Sequence, residues 1–127
     1  IQTLNYLDLE NGEKLLEKIH QSAWGKMNPI QANFGLHKIQ QSLDQFASNT
    51  NYSFDLIYYD AFGPRVQPEM WTVEVFTKLF KLLKPMGCMV TYCAKGQVKR
   101  DLKSVGFNLE TLPGPPGKRE MIRVWKN

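Results

Sequence analysis

The chain has 127 residues, 43% of them hydrophobic and 22% charged, which is the size and balance of one globular domain with a real core. No apolar run is long enough to span a membrane, and no basic stretch leads into an apolar one as a secretory signal would, so a cytoplasmic location is expected. The net charge of +4 permits a polyanionic partner without demanding one. The chain starts at Ile1 rather than Met, so it is read as a truncated translation product with something missing upstream.

Leu4, Leu7, Leu15, Leu16 and Ile19 recur at helical spacings, broken by Asn11-Gly12. They predict a helical turn and then a helix from about Gly12 to about Ser22. His20 near its end is read as a solvated histidine favoured by the helix dipole rather than a ligand. Gly25 to Asn33, with Pro29, is read as a loop, and Phe34 to Ile39 as a short strand. A short helix is expected over Leu43 to Ala47, before a polar loop.

Phe54 to Tyr59 is almost wholly apolar and aromatic, which predicts a strand buried on both faces of a parallel sheet. It stops at Asp60, and Gly63-Pro64 forces a turn. An acid at the carboxyl end of such a strand lies where open α/β sheets bind ligands. Asp is also a favoured helix N-cap, so the residues alone leave both readings of Asp60 open.

A helix over Pro68 to Leu83 follows, with Glu69 in its first turn and Pro85-Met86-Gly87 as its stop. Cys88 to Cys93 reads as a second buried strand, with both cysteines as reduced thiols and Tyr92 packed in the sheet. Lys95 to Val105 is a basic amphipathic helix ended by Gly106. Its cations Lys95, Lys99, Arg100 and Lys103 suit either phosphate or plain solvent. Phe107 to Leu112 and Lys118 to Lys126 are strands joined by Pro113-Gly114-Pro115-Pro116-Gly117. That connection is too short for a parallel crossover, so the final pair is an antiparallel hairpin. Alternating strands and helices ahead of it imply a parallel sheet.

At this point the sequence resembles a family. DAFGPRVQPEMW resembles the D-G-F-A-P-x-x-N-P-x-x-W signature of the MnmC-type tRNA wobble-uridine methyltransferases. LLKPMGCMVTYCAKGQVKRDLKSVGF resembles their R-P-G-G strand and S-A-x-x-V-R-R-x-L-x-x-A-G-F helix, and PGPPGKREMIR their G-x-G-x-K-R-E-M close. Leu4-Asn5-Tyr6 and Leu36 to Leu43 fit more weakly. The resemblance implies a single α/β domain over residues 1–127: a class I methyltransferase (Rossmann-like) sheet with an antiparallel carboxyl-terminal hairpin, of usual strand order 3-2-1-4-5-7-6. The first βαβ unit, with its glycine-rich loop and ribose-holding acid, is absent from the chain. An edge is then expected at Phe54–Tyr59, and the chain is either a fragment or a degenerate member.

The function implied is S-adenosylmethionine-dependent N-methylation of the aminomethyl group of a tRNA wobble uridine. Asp60 would be the catalytic acid, orienting the amine and taking its proton. Gln41, Ser42, Asp60 and Ala61 would contact the cofactor, although the family has Gly-Asp where this chain has Gln41-Ser42. Phe62, Gly63 and Pro64 would contact the target base, and Lys118 and Arg119 its phosphates. Partners would be tRNA, the missing upstream segment or a separate oxidoreductase. No metal is expected, because His20, His37, Cys88 and Cys93 lack ligand spacing. Two alternatives remain: a non-catalytic module binding RNA or a protein partner, and a methyltransferase of small amines or proteins.

Overall fold

The computed structural model describes residues 11–127. The expected turn at Leu4 and Leu7 and the Leu4-Asn5-Tyr6 match lie outside the described residues. The chain divides into two compact units, Ile1–Ser42 and Leu43–Asn127.

In the first unit, helix α1 (Gly12–Gln21) forms where the apolar spacing placed it. Ser22 closes it, donating its hydroxyl to the Ile19 carbonyl at 2.7 Å. The segment read as a loop is instead half of a hairpin: β1 (Met27–Gln31) pairs antiparallel with β2 (Phe34–His37). Pro29 argued against a strand because it lacks an N–H. In a two-stranded ladder each strand has an open side, and the register shifts between Pro29 and Gln31, where proline is tolerated. Lys38 ties the hairpin to α1 by donating to the carbonyls of Ile19 (3.1 Å) and His20 (3.2 Å).

The second unit runs α2 (Leu43–Asn49), β3 (Phe54–Tyr59), a 3₁₀ turn (Pro68–Met70), α3 (Val73–Leu82), β4 (Leu83–Thr91), α4 (Gly96–Val105), β5 (Asn108–Pro113) and β6 (Glu120–Trp125). Its sheet has the order β3-β4-β6-β5. β3 and β4 are parallel, while β6 is antiparallel to both β4 and β5. The closing hairpin therefore inserts its last strand beside β4, as the resemblance implied. Helices α3 and α4 cover one sheet face, burying Phe76, Leu79, Val98 and Leu102 against Met89, Ile122 and Val124. At roughly 25 cal/mol per Å² of apolar surface, this layer is the unit's main source of stability.

Two boundaries and one burial pattern differ from expectation. The helix after Pro68 is broken: a 3₁₀ turn comes first, and α3 starts only after Thr72, whose hydroxyl accepts from the Val75 N–H at 3.3 Å. Thr72, not Asp60, is thus the N-cap. Glu69 lies in the 3₁₀ turn, and Glu74 is the acid of the first turn of α3. Next, α3 ends before Pro85, because β4 already begins at Leu83 and carries Pro85-Met86-Gly87 as an irregularity. Gly87 is required there: a Cβ would meet the Lys84 carbonyl oxygen at 2.9 Å and that of Phe54 at 3.1 Å. Finally, β3 is not buried on both faces. It is the edge strand expected without the two family strands, and Leu56 and Tyr58 are 43% and 78% exposed.

Candidate functional site

The loop Asp60–Pro64 leaves the carboxyl end of β3, and aromatic side chains hold it. Tyr59, the last strand residue, is buried and donates its hydroxyl to the Met70 carbonyl at 2.6 Å. Burial penalises the phenolate and pushes the Tyr59 phenol up to about 12. Its ring meets Trp71 edge-on, with centroids 5.3 Å apart. The Trp71 indole N–H in turn donates to the Phe62 carbonyl at 2.7 Å. From the end of β4, the Tyr92 hydroxyl donates to the Ala61 carbonyl, also at 2.7 Å. Beyond them, the Gly63 carbonyl accepts from the N–H groups of Val66 and Gln67, both at 2.9 Å. Consecutive carbonyls of one short loop are thus fixed by donors from separate elements.

With its backbone fixed this way, the loop presents an exposed Asp60 and a Phe62 ring that is 72% exposed. A cleft of about 250 Å³ opens beside them, lined by Tyr58, Asp60, Val90, Tyr92, Pro115 and Met121 among others. Its walls are the carboxyl ends of two parallel strands, where open α/β sheets place ligands. The closing turn forms the rim. Gly114 donates its N–H to the Arg119 carbonyl at 3.3 Å, and a Cβ on Gly114 would sit 2.7 Å from the Lys118 carbonyl oxygen, so only glycine fits. Lys118 lies 4.0 Å over the centre of the Tyr92 ring. Lys99 reaches Glu120 at 3.0 Å and so joins the basic helix α4 to the foot of the same turn. Lys95, Arg100, Lys103 and Arg119 are exposed.

Of the residues expected at a site, Asp60, Ala61, Phe62 and Gly63 lie in this loop and Pro64 opens the turn after it, while Lys118 and Arg119 lie in the rim turn. Gln41 and Ser42 end the first unit, so the four expected cofactor contacts divide between the two units. Tyr92 was expected to pack in the sheet, but β4 ends at Thr91 and Tyr92 turns to the loop. Parallel register held the missing signal: Tyr58 pairs with Val90 and Tyr59 with Thr91, so the next residues, Asp60 and Tyr92, emerge side by side. Partial burial first, then Cys93 and Asp60, raise the Tyr92 phenol. Both cysteines are free thiols, and no group of three potential metal ligands occurs among the described residues.

Comparison with known proteins agrees with this architecture. The crystal structure of MNMC2 from Aquifex aeolicus superposes with a TM-score of 0.70 at 21% identity, covering 90% of this chain and 35% of that one, which speaks for the fold alone. Two curated relatives share the name tRNA 5-methylaminomethyl-2-thiouridine biosynthesis bifunctional protein MnmC. The one from Pseudoalteromonas atlantica is 35% identical over 95 residues, 75% of this chain and 14% of that protein. The one from Cupriavidus necator is 38% identical over 86 residues, 68% of this chain and 12% of that protein. The chain therefore spans only a small part of the length of either. A family model described as S-adenosyl-L-methionine-dependent methyltransferase matches residues 10–127. With a match over nearly its whole length, the chain belongs to that family of S-adenosyl-L-methionine-dependent methyltransferases.

Proposed function

We propose that this chain carries the amine-acceptor side of an N-methyltransferase acting on the aminomethyl group of a tRNA wobble uridine in the cytoplasm. The observation that carries the reading is the exposed Asp60 on a tightly held loop beside an aromatic cleft. S-adenosylmethionine, when bound, supplies an electrophilic methyl group. The chain's own residues would do the rest. Asp60 would accept a hydrogen bond from the amine, turn its lone pair toward the incoming methyl and take up the proton. Phe62 would lie against the uracil ring, with Gly63 and Pro64 shaping the approach. Lys118 and Arg119, helped by Lys95 and Arg100, would hold neighbouring phosphates.

The cleft of about 250 Å³ falls below the roughly 300–1,000 Å³ of small-molecule sites. Ala61 would add a contact to the cofactor, and the sequence holds no G-x-G-x-G run of the kind that cradles a nucleotide at a helix start. That predicts weak S-adenosylmethionine binding or none by the chain alone; the second reading is a non-catalytic module that binds RNA.

The test is methyl transfer to undermodified tRNA by the complete enzyme with Asp60→Asn beside wild type, together with calorimetry of S-adenosylmethionine on the isolated chain. Because Asp60 caps no helix, the variant should melt like wild type while losing roughly 10²–10⁴-fold in rate. Equal rates would remove Asp60 from the chemistry. Micromolar cofactor binding by the isolated chain would show that its cofactor contacts lie elsewhere than supposed. A complete enzyme that binds tRNA and S-adenosylmethionine and transfers nothing would favour the second reading.

A further inference from the structure

We propose that Tyr92 is a positioning residue for the Asp60–Pro64 loop, its hydroxyl fixing, through the Ala61 carbonyl, the backbone from which the Asp60 side chain projects. The proposal deepens the acceptor-site reading and rests on it for its catalytic consequence. No hydrogen bond or salt bridge among the described residues holds the Asp60 carboxylate itself, so the place from which it reaches the cleft depends on the backbone either side. On the amino side stands buried Tyr59, locked to Met70 at 2.6 Å. On the carboxyl side the first fixed point is the Tyr92 hydroxyl on Ala61 at 2.7 Å, and the second is Trp71 on Phe62 at 2.7 Å. The Tyr92 and Trp71 rings pack edge to face with centroids 6.1 Å apart, and Lys118 seats on Tyr92 at 4.0 Å. The ring is therefore held by packing, and the hydroxyl is the part of it that reaches the loop. The bond spans 31 positions of sequence, so it reports on tertiary structure rather than on a local turn.

Tyr92→Phe separates the hydroxyl from the ring. It keeps the contacts with Trp71 and Lys118 and frees the Ala61 carbonyl to water from the open cleft. A hydrogen bond of typical net strength predicts amide exchange roughly 2- to 10-fold faster at Val66 and Gln67, whose N–H groups donate to the Gly63 carbonyl. Exchange in α3 and α4 should stay unchanged. Lys118→Met leaves the hydroxyl bond in place and should not speed exchange in the loop. In the transfer assay, Tyr92→Phe should lower kcat about 10-fold with KM for tRNA unchanged, because misdirection of a reacting group is felt in the transition state. Loop exchange equal to wild type in Tyr92→Phe overturns the proposal, and so does acceleration spread evenly over α3 and α4. If the loop loosens while Asp60→Asn transfers at the wild-type rate, Tyr92 still holds the loop and the acid role of Asp60 falls instead.

Discussion

The two faces of the β3-β4-β6-β5 sheet are built from similar residues and have opposite fates. Toward α3 and α4, Met89, Ile122 and Val124 are sealed in the core. On the other face Leu56 and Tyr58, from the same apolar run as buried Tyr59, meet solvent. Glu110 and Arg123 pair across neighbouring strands on that open face, where Cys88 and Trp125 lie beside them. The contrast teaches that an apolar strand reports its capacity for burial, while the covering layer decides whether burial occurs. The open face also lets Tyr58, Val90 and Tyr92 wall a cleft rather than a core.

Mutating the two faces should give very different costs. Phe76→Ala, at the centre of the covered face, should lose about 3–5 kcal/mol of stability, the range for deleting a buried aromatic ring. Urea unfolding gives the value, and a loss below about 1 kcal/mol would mean that this layer is not the core.

Next in size is a pH effect at the covered carboxyl edge. Tyr59 titrates near 10 when unfolded and near 12 when folded. The folded state therefore holds the proton more tightly. This stabilisation is complete below pH 10 and disappears as pH rises from about 10 through about 12. After allowance for solvent screening the loss should be on the order of 1–2 kcal/mol. Melting from pH 9 to 12 should show the decline in wild type and a smaller one in Tyr59→Phe.

Thr91 sharpens the comparison in the opposite direction. It is 3% exposed, and its hydroxyl has no hydrogen-bond partner among the described residues. A buried unpaired hydroxyl costs free energy, so isosteric Thr91→Val should raise stability by about 1 kcal/mol. A fall in melting temperature would show that the hydroxyl is satisfied in solution. The smallest effect belongs to the open face. Tyr58→Thr keeps strand propensity, removes an exposed ring and should stay within about 0.5 kcal/mol of wild type. A cost above about 2 kcal/mol would show that something covers this face in solution.

How far the chain could be read from its residues depended on the range of the interactions involved. The strands at Phe54, Cys88, Phe107 and Lys118 and the helices at Gly12 and Lys95 were legible because periodicity and punctuation are local. Gly106 ends α4 at φ 119, as a glycine after an apolar helical stripe should. Pro29 misled because its cost depends on which side of the strand needs an N–H, and that depends on the partner. The cap of α3 went to Thr72 because the 3₁₀ turn moves the helix start, and turn geometry after Pro68 has no fixed sequence signature. Asp60 was visible as an acid ending an apolar strand. Tyr92 was not, because nothing within a few residues of it marks a partner at Ala61.

By itself the sequence determined the order and type of the main elements, the existence of the proline- and glycine-rich turn between β5 and β6, though Pro113 belongs to β5, and the family blocks from Phe54 to Arg123. Those follow from backbone preferences and residue spacing, which act over a handful of positions. Only the tertiary structure decided which face of β3 is covered, that Phe34–His37 takes Met27–Gln31 as its partner, and that the rings of Trp71 and Tyr92 reach successive carbonyls beside Asp60. Such contacts depend on strand register and on how helices sit on a sheet. Their free energy comes from groups far apart in the chain, so no short stretch of residues encodes them.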